Sequence, residues 1–276
     1  MKVALLQLNV TDDPAVNLPQ TVRMVRDAAA QGARFVATPE VTNCVSTNRE
    51  HQRDVLQLEE DDQTLARLRQ EAHDLGIWLL IGSLALKTED ADGRFANRSF
   101  LINPQGGVVA RYDKIHMFDV QVSPQETYRE SSGYRPGGRA VVADAGFASL
   151  GMTICYDVRF PALYGALARG GAQILTVPSA FSPVTGAAHW EPLLRARAIE
   201  TGCFVVAPAQ TGIHESAAHK TRGTYGHSMV VSPWGEVELD AGTDPGVYIV
   251  DLDMEKVTQA RARVPSLANA RPFDGP

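Results

Sequence analysis

Cys155 stands where a thiol could carry out acyl-transfer chemistry. The run 148–154 before it is apolar and has the pattern of a buried strand, and a helix is predicted to begin at Phe160. A side chain at such a strand-to-helix turn is presented at the edge of a sheet, where backbone N–H groups can hold a developing oxyanion. A buried, inert cysteine fits the same local pattern, because that is the commoner fate of a free thiol. The turn alone leaves both interpretations open.

A nucleophilic thiol, whose reference pKa is ~8.5, needs a base or a cation beside it. Glu40 comes just after the predicted buried strand 35–37, and Lys114 ends the predicted strand 108–113. Taken singly, each has an ordinary explanation, a carboxylate in a loop and a solvated lysine. If the ends of these strands meet on one face, then Glu40, Lys114 and Cys155 supply a base, a cation and a nucleophile.

The other two cysteines favour structural roles. Cys203 opens an apolar strand, and Cys44 lies in a loop rich in Thr and Asn with no cationic neighbour to stabilise a thiolate. Three cysteines in 276 residues is an odd number, which disfavours a disulfide framework. We therefore expect a protein of the reducing cytoplasm.

Composition restricts the class of partner. The chain has 26 Lys and Arg against 32 Asp and Glu, and its formal net charge is −6. Because no net positive field would attract a polyanion or an anionic bilayer, we expect neither nucleic acid nor membrane as a partner. The apolar runs are also too short to span a membrane.

Strands and helices alternate along the chain, which predicts an α/β layered fold. Apolar periodicity predicts helices at 17–30, 65–75, 160–169 and 189–201. Buried strands are predicted at 1–8, 35–37, 77–81, 148–154, 174–178 and 204–208. Two similar segments, 99–108 and 228–237, each predict a strand, a Pro-x-Gly turn and a second strand.

The pattern also predicts how the chain is divided. The segment 115–138 is polar and lacks periodicity, and long loops of this kind often border a functional site. No low-complexity linker interrupts the rest. We expect a single domain over 1–265 and a C-terminal tail at 266–276 that lies on the surface or at a subunit interface.

Several ordered motifs together resemble those of one known family. They are Thr38-Pro39-Glu40, Tyr112 to Asp119 around Lys114, and Gly151 to Pro161 around Cys155, followed by 185–201 and 225–235. On these residues the sequence resembles the nitrilase superfamily of carbon-nitrogen hydrolases, and within it the Nit branch. The resemblance covers nearly the whole chain. Ala162 departs from it, where glutamate is usual in the branch, and so does the tail from Leu267.

The resemblance implies a fold and a site. The fold is a four-layer αββα sandwich that forms a homodimer or a higher homo-oligomer. The catalytic residues are Glu40, Lys114 and Cys155, with Glu130 as a second glutamate that holds the lysine and orients the substrate. Residues matching the substrate pocket of the branch are Arg159, Phe181 and Thr185, and the Tyr156 backbone N–H is expected to help bind the oxyanion.

The same resemblance implies an amidase for a small, carboxylate-bearing amide. In the Nit branch such substrates are deaminated glutathione and α-keto-ω-amides such as α-ketoglutaramate, and Arg159 suits a substrate carboxylate because a guanidinium grips it through two parallel hydrogen bonds. An N-carbamoyl-amino-acid amidohydrolase would use the same Glu, Lys and Cys residues. A non-catalytic scaffold of the same fold is the remaining alternative, although a scaffold has no physical need for all three.

The sequence predicts no cofactor and no metal. His214 and His219 are one residue too far apart for the zincin motif, so their imidazoles would not share a helix face, and we expect them in a solvated loop. No dinucleotide-binding, P-loop or serine-hydrolase motif occurs.

Overall fold

The computed structural model describes residues 1–123, 126–216 and 222–275. These residues form two six-stranded sheets, the helices that cover them, and two small two-stranded sheets. The strands are β1 (Lys2–Gln7), β2 (Phe35–Ala37), β3 (Trp78–Leu86), β4 (Ala96–Ile102), β5 (Val108–Asp113), β6 (Asp119–Ser123), β7 (Glu126–Arg129), β8 (Val141–Asp144), β9 (Ser149–Met152), β10 (Ile174–Thr176), β11 (Phe204–Ala207), β12 (Thr211–His214), β13 (Arg222–Tyr225), β14 (Met229–Val231), β15 (Val237–Asp240) and β16 (Gly246–Asp251). The helices are α1 (Pro14–Ala30), α2 (Arg49–Val55), α3 (Gln63–Leu75), α4 (Pro161–Arg169), α5 (Pro183–Thr201), α6 (Glu255–Arg263) and α7 (Ser266–Asn269). Two short 3₁₀ turns lie at Glu130–Ser132 and Cys155–Arg159. The small sheets are the strand pairs β6-β7 and β12-β13.

The two six-stranded sheets have the same internal arrangement. Their strand orders are β16-β1-β2-β3-β4-β5 and β15-β14-β11-β10-β9-β8. In the first, β1, β2 and β3 are parallel, and in the second so are β9, β10 and β11; the outer pairings are antiparallel. The predicted hairpins are confirmed as β4–β5 and β14–β15. Each turn has a glycine with positive φ, Gly106 and Gly235, as a Pro-x-Gly turn requires.

Alternating residues along β1 show how the layers are stacked. Val3 and Leu5 belong to an apolar cluster that also contains β9, β10 and β11 of the second sheet and the inner faces of α4 and α5. Ala4 and Leu6 belong to a second cluster with α1 and α3. The order is therefore helix, sheet, sheet, helix, which confirms the predicted αββα sandwich.

Helices α1 and α5 begin three and six residues earlier than the periodicity predicts, and each begins at a proline. Helix α1 starts at Pro14, where the side chain of Asp13 accepts a hydrogen bond from Ala15 N at 2.9 Å. Pro19 consequently lies inside the helix. Helix α5 starts at Pro183, six residues before the predicted start. The apolar pattern misses these turns, since their side chains are largely exposed.

The aperiodic segment 115–138 contains the β6–β7 hairpin and the 3₁₀ turn at Glu130–Ser132. The strands β8, β12, β13 and β16 were not predicted from the sequence, and β16 pairs antiparallel with β1. In the tail, Phe273 is 91% exposed, and a role at a subunit interface stays a prediction. Among the helices of the described ranges, none combines the length and the apolarity needed to cross a bilayer.

Candidate active site

Glu40, Lys114 and Cys155 lie together in one cavity of about 500 Å³. Lys114 Nζ is 2.8 Å from Glu40 Oε1 and 2.9 Å from each carboxylate oxygen of Glu130. Glu40, Lys114 and Cys155 are buried, with exposed fractions of 4%, 2% and 7%, respectively. The structure thus brings together the four residues predicted to be catalytic, Glu40, Lys114, Glu130 and Cys155.

The strand ends explain the convergence. Glu40 follows β2 and Lys114 follows β5, both of the first sheet, whereas Cys155 follows β9 of the second. Because the two sheets pack face to face, residues that leave corresponding ends of their strands meet between them. The site therefore needs both halves of the chain.

The backbone at Cys155 has an unusual conformation. Its φ is +48°, a left-handed value that is uncommon for a residue with a side chain. Asp157, which is fully buried, accepts hydrogen bonds from Ile154 N at 2.9 Å and from the hydroxyl of Tyr112 at 2.7 Å. The carboxylate also accepts one from His116 N at 3.0 Å. These bonds hold the turn in the conformation that presents the Cys155 thiol to the cavity.

A close backbone approach positions Glu40. A Cβ on Gly82 would lie 2.0 Å from Thr38 O and 2.5 Å from Pro39 O, so only glycine allows β3 to pack this tightly against the segment that leads to Glu40. The same Cβ would lie 2.5 Å from Pro178 Cβ. Pro178 in turn accepts the hydrogen bond of Cys155 N at 3.0 Å.

Three nitrogen donors hold the Glu40 carboxylate. Besides Lys114, Asn97 Nδ2 donates to Oε1 at 2.9 Å, and the backbone N–H of Ala180 donates to Oε2 at 2.8 Å. Burial by itself would raise the pKa of Glu40, but the charge and hydrogen bond of Lys114, with the charge of Arg222, lower it below its ordinary value. Glu40 is therefore a carboxylate at neutral pH.

Lys114 and Cys155 both have raised pKa values. For Lys114, burial alone would lower the pKa, but the negative charges of Glu130 and Glu40 outweigh it and raise the pKa well above the ordinary value. Burial raises the pKa of the Cys155 thiol, and the charge and hydrogen bond of Glu40 raise it further. The resting site thus holds a carboxylate, an ammonium and a neutral thiol.

Glu130 links this cluster to the aperiodic segment. Its Oε2 accepts a hydrogen bond from Phe118 N at 2.6 Å while both carboxylate oxygens accept from Lys114 Nζ. Phe118 and Tyr128 line the cavity. The expectation that the segment 115–138 borders a site is therefore met.

Three of the four proposed substrate-binding residues line the cavity: Tyr156, Phe181 and Thr185. The Oγ1 atom of Thr185 is buried and has no hydrogen-bond partner among the described residues, so it is available to a ligand. Arg159 is not in the lining. Its guanidinium carbon is 5.9 Å and 5.5 Å from the ring centres of Tyr156 and Phe181, and its terminal nitrogens lie 3.3 Å from His189 Nδ1. Its role in binding substrate stays a prediction.

Several residues of the cavity were not predicted from the sequence. Asn97 contacts Glu40 and lies buried on β4. An amide side chain shortly before the apolar run of this strand was the one sequence signal that could have indicated a role in the site. Arg49, Arg129 and Arg222 also line the cavity, and nothing in their local sequence separates them from surface arginines.

Histidine placement corrects one expectation. His214 is not in a solvated loop: it is 1% exposed, and its ring nitrogens contact Val10 O and Thr224 Oγ1, both at 2.7 Å. Burial lowers the pKa of His214 to about 4. His219 lies outside the described residues. Within the described part of the chain, no group of three or more His, Cys, Asp and Glu side chains is arranged to hold a metal ion.

Comparison with known proteins identifies the family. Residues 2–262 match the carbon-nitrogen hydrolase family. The chain belongs to this family. Deaminated glutathione amidase from Mus musculus is 40% identical, with 98% of this chain and 83% of the mouse protein aligned.

Solved structures agree with the family assignment. The Caenorhabditis elegans NitFhit protein superposes with a TM-score of 0.90 at 35% identity, covering 98% of this chain and 65% of the nematode chain. Saccharomyces cerevisiae Nit3, a member of branch 10 of the nitrilase superfamily, has a TM-score of 0.84 at 28% identity, with 96% and 94% coverage. The predicted family and fold are therefore confirmed, and the protein is a hydrolase of carbon-nitrogen bonds other than peptide bonds.

Proposed function

We propose that this carbon-nitrogen hydrolase cleaves the amide bond of deaminated glutathione, or of a smaller α-keto-ω-amide, through a thioester on Cys155. The observation that carries the proposal is the meeting of Cys155, Glu40 and Lys114 in one buried cavity. The similarity to mouse deaminated glutathione amidase supports the choice of substrate.

The first step is proton transfer from the Cys155 thiol to Glu40. A solvent-exposed base is not needed, because the exchange converts a carboxylate and a thiol into a carboxylic acid and a thiolate with no change in the total charge of the buried cluster. Lys114 stabilises the new thiolate, since its charge lowers the pKa of Cys155. The raised pKa of the thiol in the resting site is therefore compatible with a working nucleophile.

The thiolate then attacks the amide carbonyl carbon. The carbonyl oxygen becomes an oxyanion, which Lys114 and the backbone N–H of Tyr156 stabilise. Lys114 can provide this charge without reorganisation because Glu40 and Glu130 already fix its ammonium group. Fixed donors aimed at a developing charge are typically the largest contribution to such catalysis.

Collapse of the tetrahedral intermediate breaks the carbon-nitrogen bond. Glu40, now a carboxylic acid, gives its proton to the departing amine, and the acyl group stays on the sulfur as a thioester. Glu40 next accepts a proton from a water molecule that attacks the thioester, and the thiol leaves with that proton. The balance is amide plus water giving a carboxylate and an ammonium ion.

The experiment is a parallel assay of three substrates. Deaminated glutathione should yield α-ketoglutarate and cysteinylglycine, α-ketoglutaramate should yield α-ketoglutarate and ammonia, and an N-carbamoyl amino acid would yield ammonia and carbon dioxide. Turnover of the N-carbamoyl substrate alone would make the protein a carbamoylase. Turnover of none would refute the proposal.

Cysteine variants test the mechanism. Cys155→Ala should abolish turnover and keep the native circular dichroism spectrum. Cys203→Ala is the matched control, because Cys203 is equally buried but does not line the cavity. Amide hydrolysis by Cys155→Ala would remove the thioester from the mechanism.

A further inference from the structure

The cavity is more positive than the protein that contains it. Among its described lining residues are four cations against two carboxylates: Arg49, Lys114, Arg129 and Arg222 against Glu40 and Glu130. This leaves an excess of two positive charges, whereas the formal net charge of the protein is −6. Such local complementarity favours an anionic ligand, and a ligand with two carboxylates would neutralise the excess.

Arg222 is the arginine best placed for a ligand. Its Nη2 donates to Ala180 O at 2.7 Å, and its guanidinium carbon is 5.6 Å from the ring centre of Tyr128. Its Nε is buried without a hydrogen-bond partner in the described part of the chain. A buried donor left unpaired is costly, so a ligand that accepts from it binds more tightly. By contrast, Arg49 donates to Gln52 Oε1 at 2.7 Å, and Arg129 is exposed.

The contacts of Arg222 indicate on which side of the scissile bond it lies. Ala180, which accepts from Arg222, is also the residue whose backbone N–H holds Glu40 Oε2. The charge of Arg222 is among those that lower the pKa of Glu40. Glu40 is the group that protonates the departing amine, so Arg222 lies on the leaving-group side. Arg159 has a different place, beside the rings of Tyr156 and Phe181.

We propose that Arg222 binds a carboxylate on the leaving amine, so that the preferred substrates are amides of a short α-keto acid with an amino acid or peptide bearing a free C-terminal carboxylate. This inference rests on the proposed function and narrows it. The cavity volume of about 500 Å³ is in the range of pockets that enclose drug-sized ligands, which leaves room for such a leaving group beside the acyl chain.

A matched substrate pair tests the inference. Deaminated glutathione and its C-terminal carboxamide have the same scissile bond and nearly the same size, but the carboxamide lacks the charge on the leaving group. The ratio of their kcat/KM values measures recognition of that charge. A charge-assisted hydrogen bond corresponds to a ratio of about 10 to 100 for the native protein.

Three variants locate the recognition. Arg222→Gln should reduce the ratio to nearly one, and Arg222→Lys should give an intermediate ratio, because an ammonium keeps the charge but loses the two parallel hydrogen bonds. Arg129→Gln removes the same charge from the rim of the same cavity and is the matched control. Its ratio should stay close to the native one.

The outcomes separate this inference from the proposed function. Hydrolysis of neither deaminated glutathione nor α-ketoglutaramate by the native protein refutes the proposed function. Hydrolysis with no preference between acid and carboxamide overturns the role of Arg222 and leaves the amidase function standing. An equal loss of the ratio in Arg129→Gln and Arg222→Gln also overturns it, since the recognition would then be general electrostatic attraction. If Arg222→Gln does not fold, the Arg222→Lys ratio decides: a native value overturns the inference.

Discussion

Replacing Gly82 by alanine is expected to impair catalysis without altering any catalytic side chain. The new Cβ would lie 2.0 Å from Thr38 O, and real Cβ contacts are essentially never shorter than 3.0 Å, so one partner must move by about 1 Å. Thr38 is two residues from Glu40, and Pro178 on the other side of Gly82 accepts from Cys155 N. The substitution therefore acts on the relative placement of the base and the nucleophile.

The magnitude follows from this displacement. A misplacement of about 1 Å at reacting groups lowers the rate by about 100-fold. Overpacking of a rigid core lowers the free energy of unfolding by about 1–3 kcal/mol. We expect both effects in Gly82→Ala, with the loss mainly in kcat because the substrate-lining side chains are unchanged.

The assay compares kcat, KM and the thermal midpoint of Gly82→Ala with those of Gly138→Ala. Gly138 is the matched control because a Cβ there meets nothing within 4 Å. Gly138→Ala should retain native kinetics. Native kcat in a folded Gly82→Ala would refute the view that this close approach sets the geometry of the site.

Three further predictions concern the charged groups of the site. Glu40→Gln should lower kcat by about 10²–10⁴-fold because no base remains to take the thiol proton and return it to the departing amine; native turnover in steady-state kinetics would contradict this. Because the pKa of Glu40 is lower in the folded than in the unfolded protein, Glu40 contributes stability that is present above the unfolded pKa and is lost as pH falls through the folded pKa. The pKa of Lys114 is raised by folding, so Lys114 contributes stability that is lost only as pH rises above the ordinary lysine pKa of 10.5. Denaturant titrations should therefore show that Lys114→Met flattens the pH dependence of the unfolding free energy at both extremes, and an unchanged profile would count against the pairing. Asp157→Asn should lower the unfolding free energy by about 2 kcal/mol, measured by urea denaturation, because the amide can no longer accept from Ile154 N, Tyr112 and His116 at once; native stability would show that these bonds do not hold the turn.

The elements, and the residues proposed to be catalytic that meet in the cavity, were largely predictable because their signals are local. The apolar run before Cys155 predicts β9, and the residue pattern at 108–113 before Lys114 predicts β5. Both signals are local because burial on one or both faces of a strand restricts the residue types it can carry. The Pro-x-Gly turns fix both hairpins for a similar local reason. The motifs around Glu40, Lys114 and Cys155 then identify the family from the sequence alone.

Membership of the cavity was decided only by the tertiary structure. Asn97 contacts Glu40, which is 57 residues away along the chain, and Arg222 contacts Ala180, which is 42 residues away. The local sequences around Asn97 and Arg222 do not indicate these contacts. Arg159, which the family resemblance places in the pocket, lies beside two aromatic rings of the cavity lining, and its contact with substrate stays a prediction. Residue types and short-range periodicity determine strands, turns and the chemistry available. Which side chains share one enclosed volume depends on the register and packing of two sheets, and that is a property of the whole folded chain.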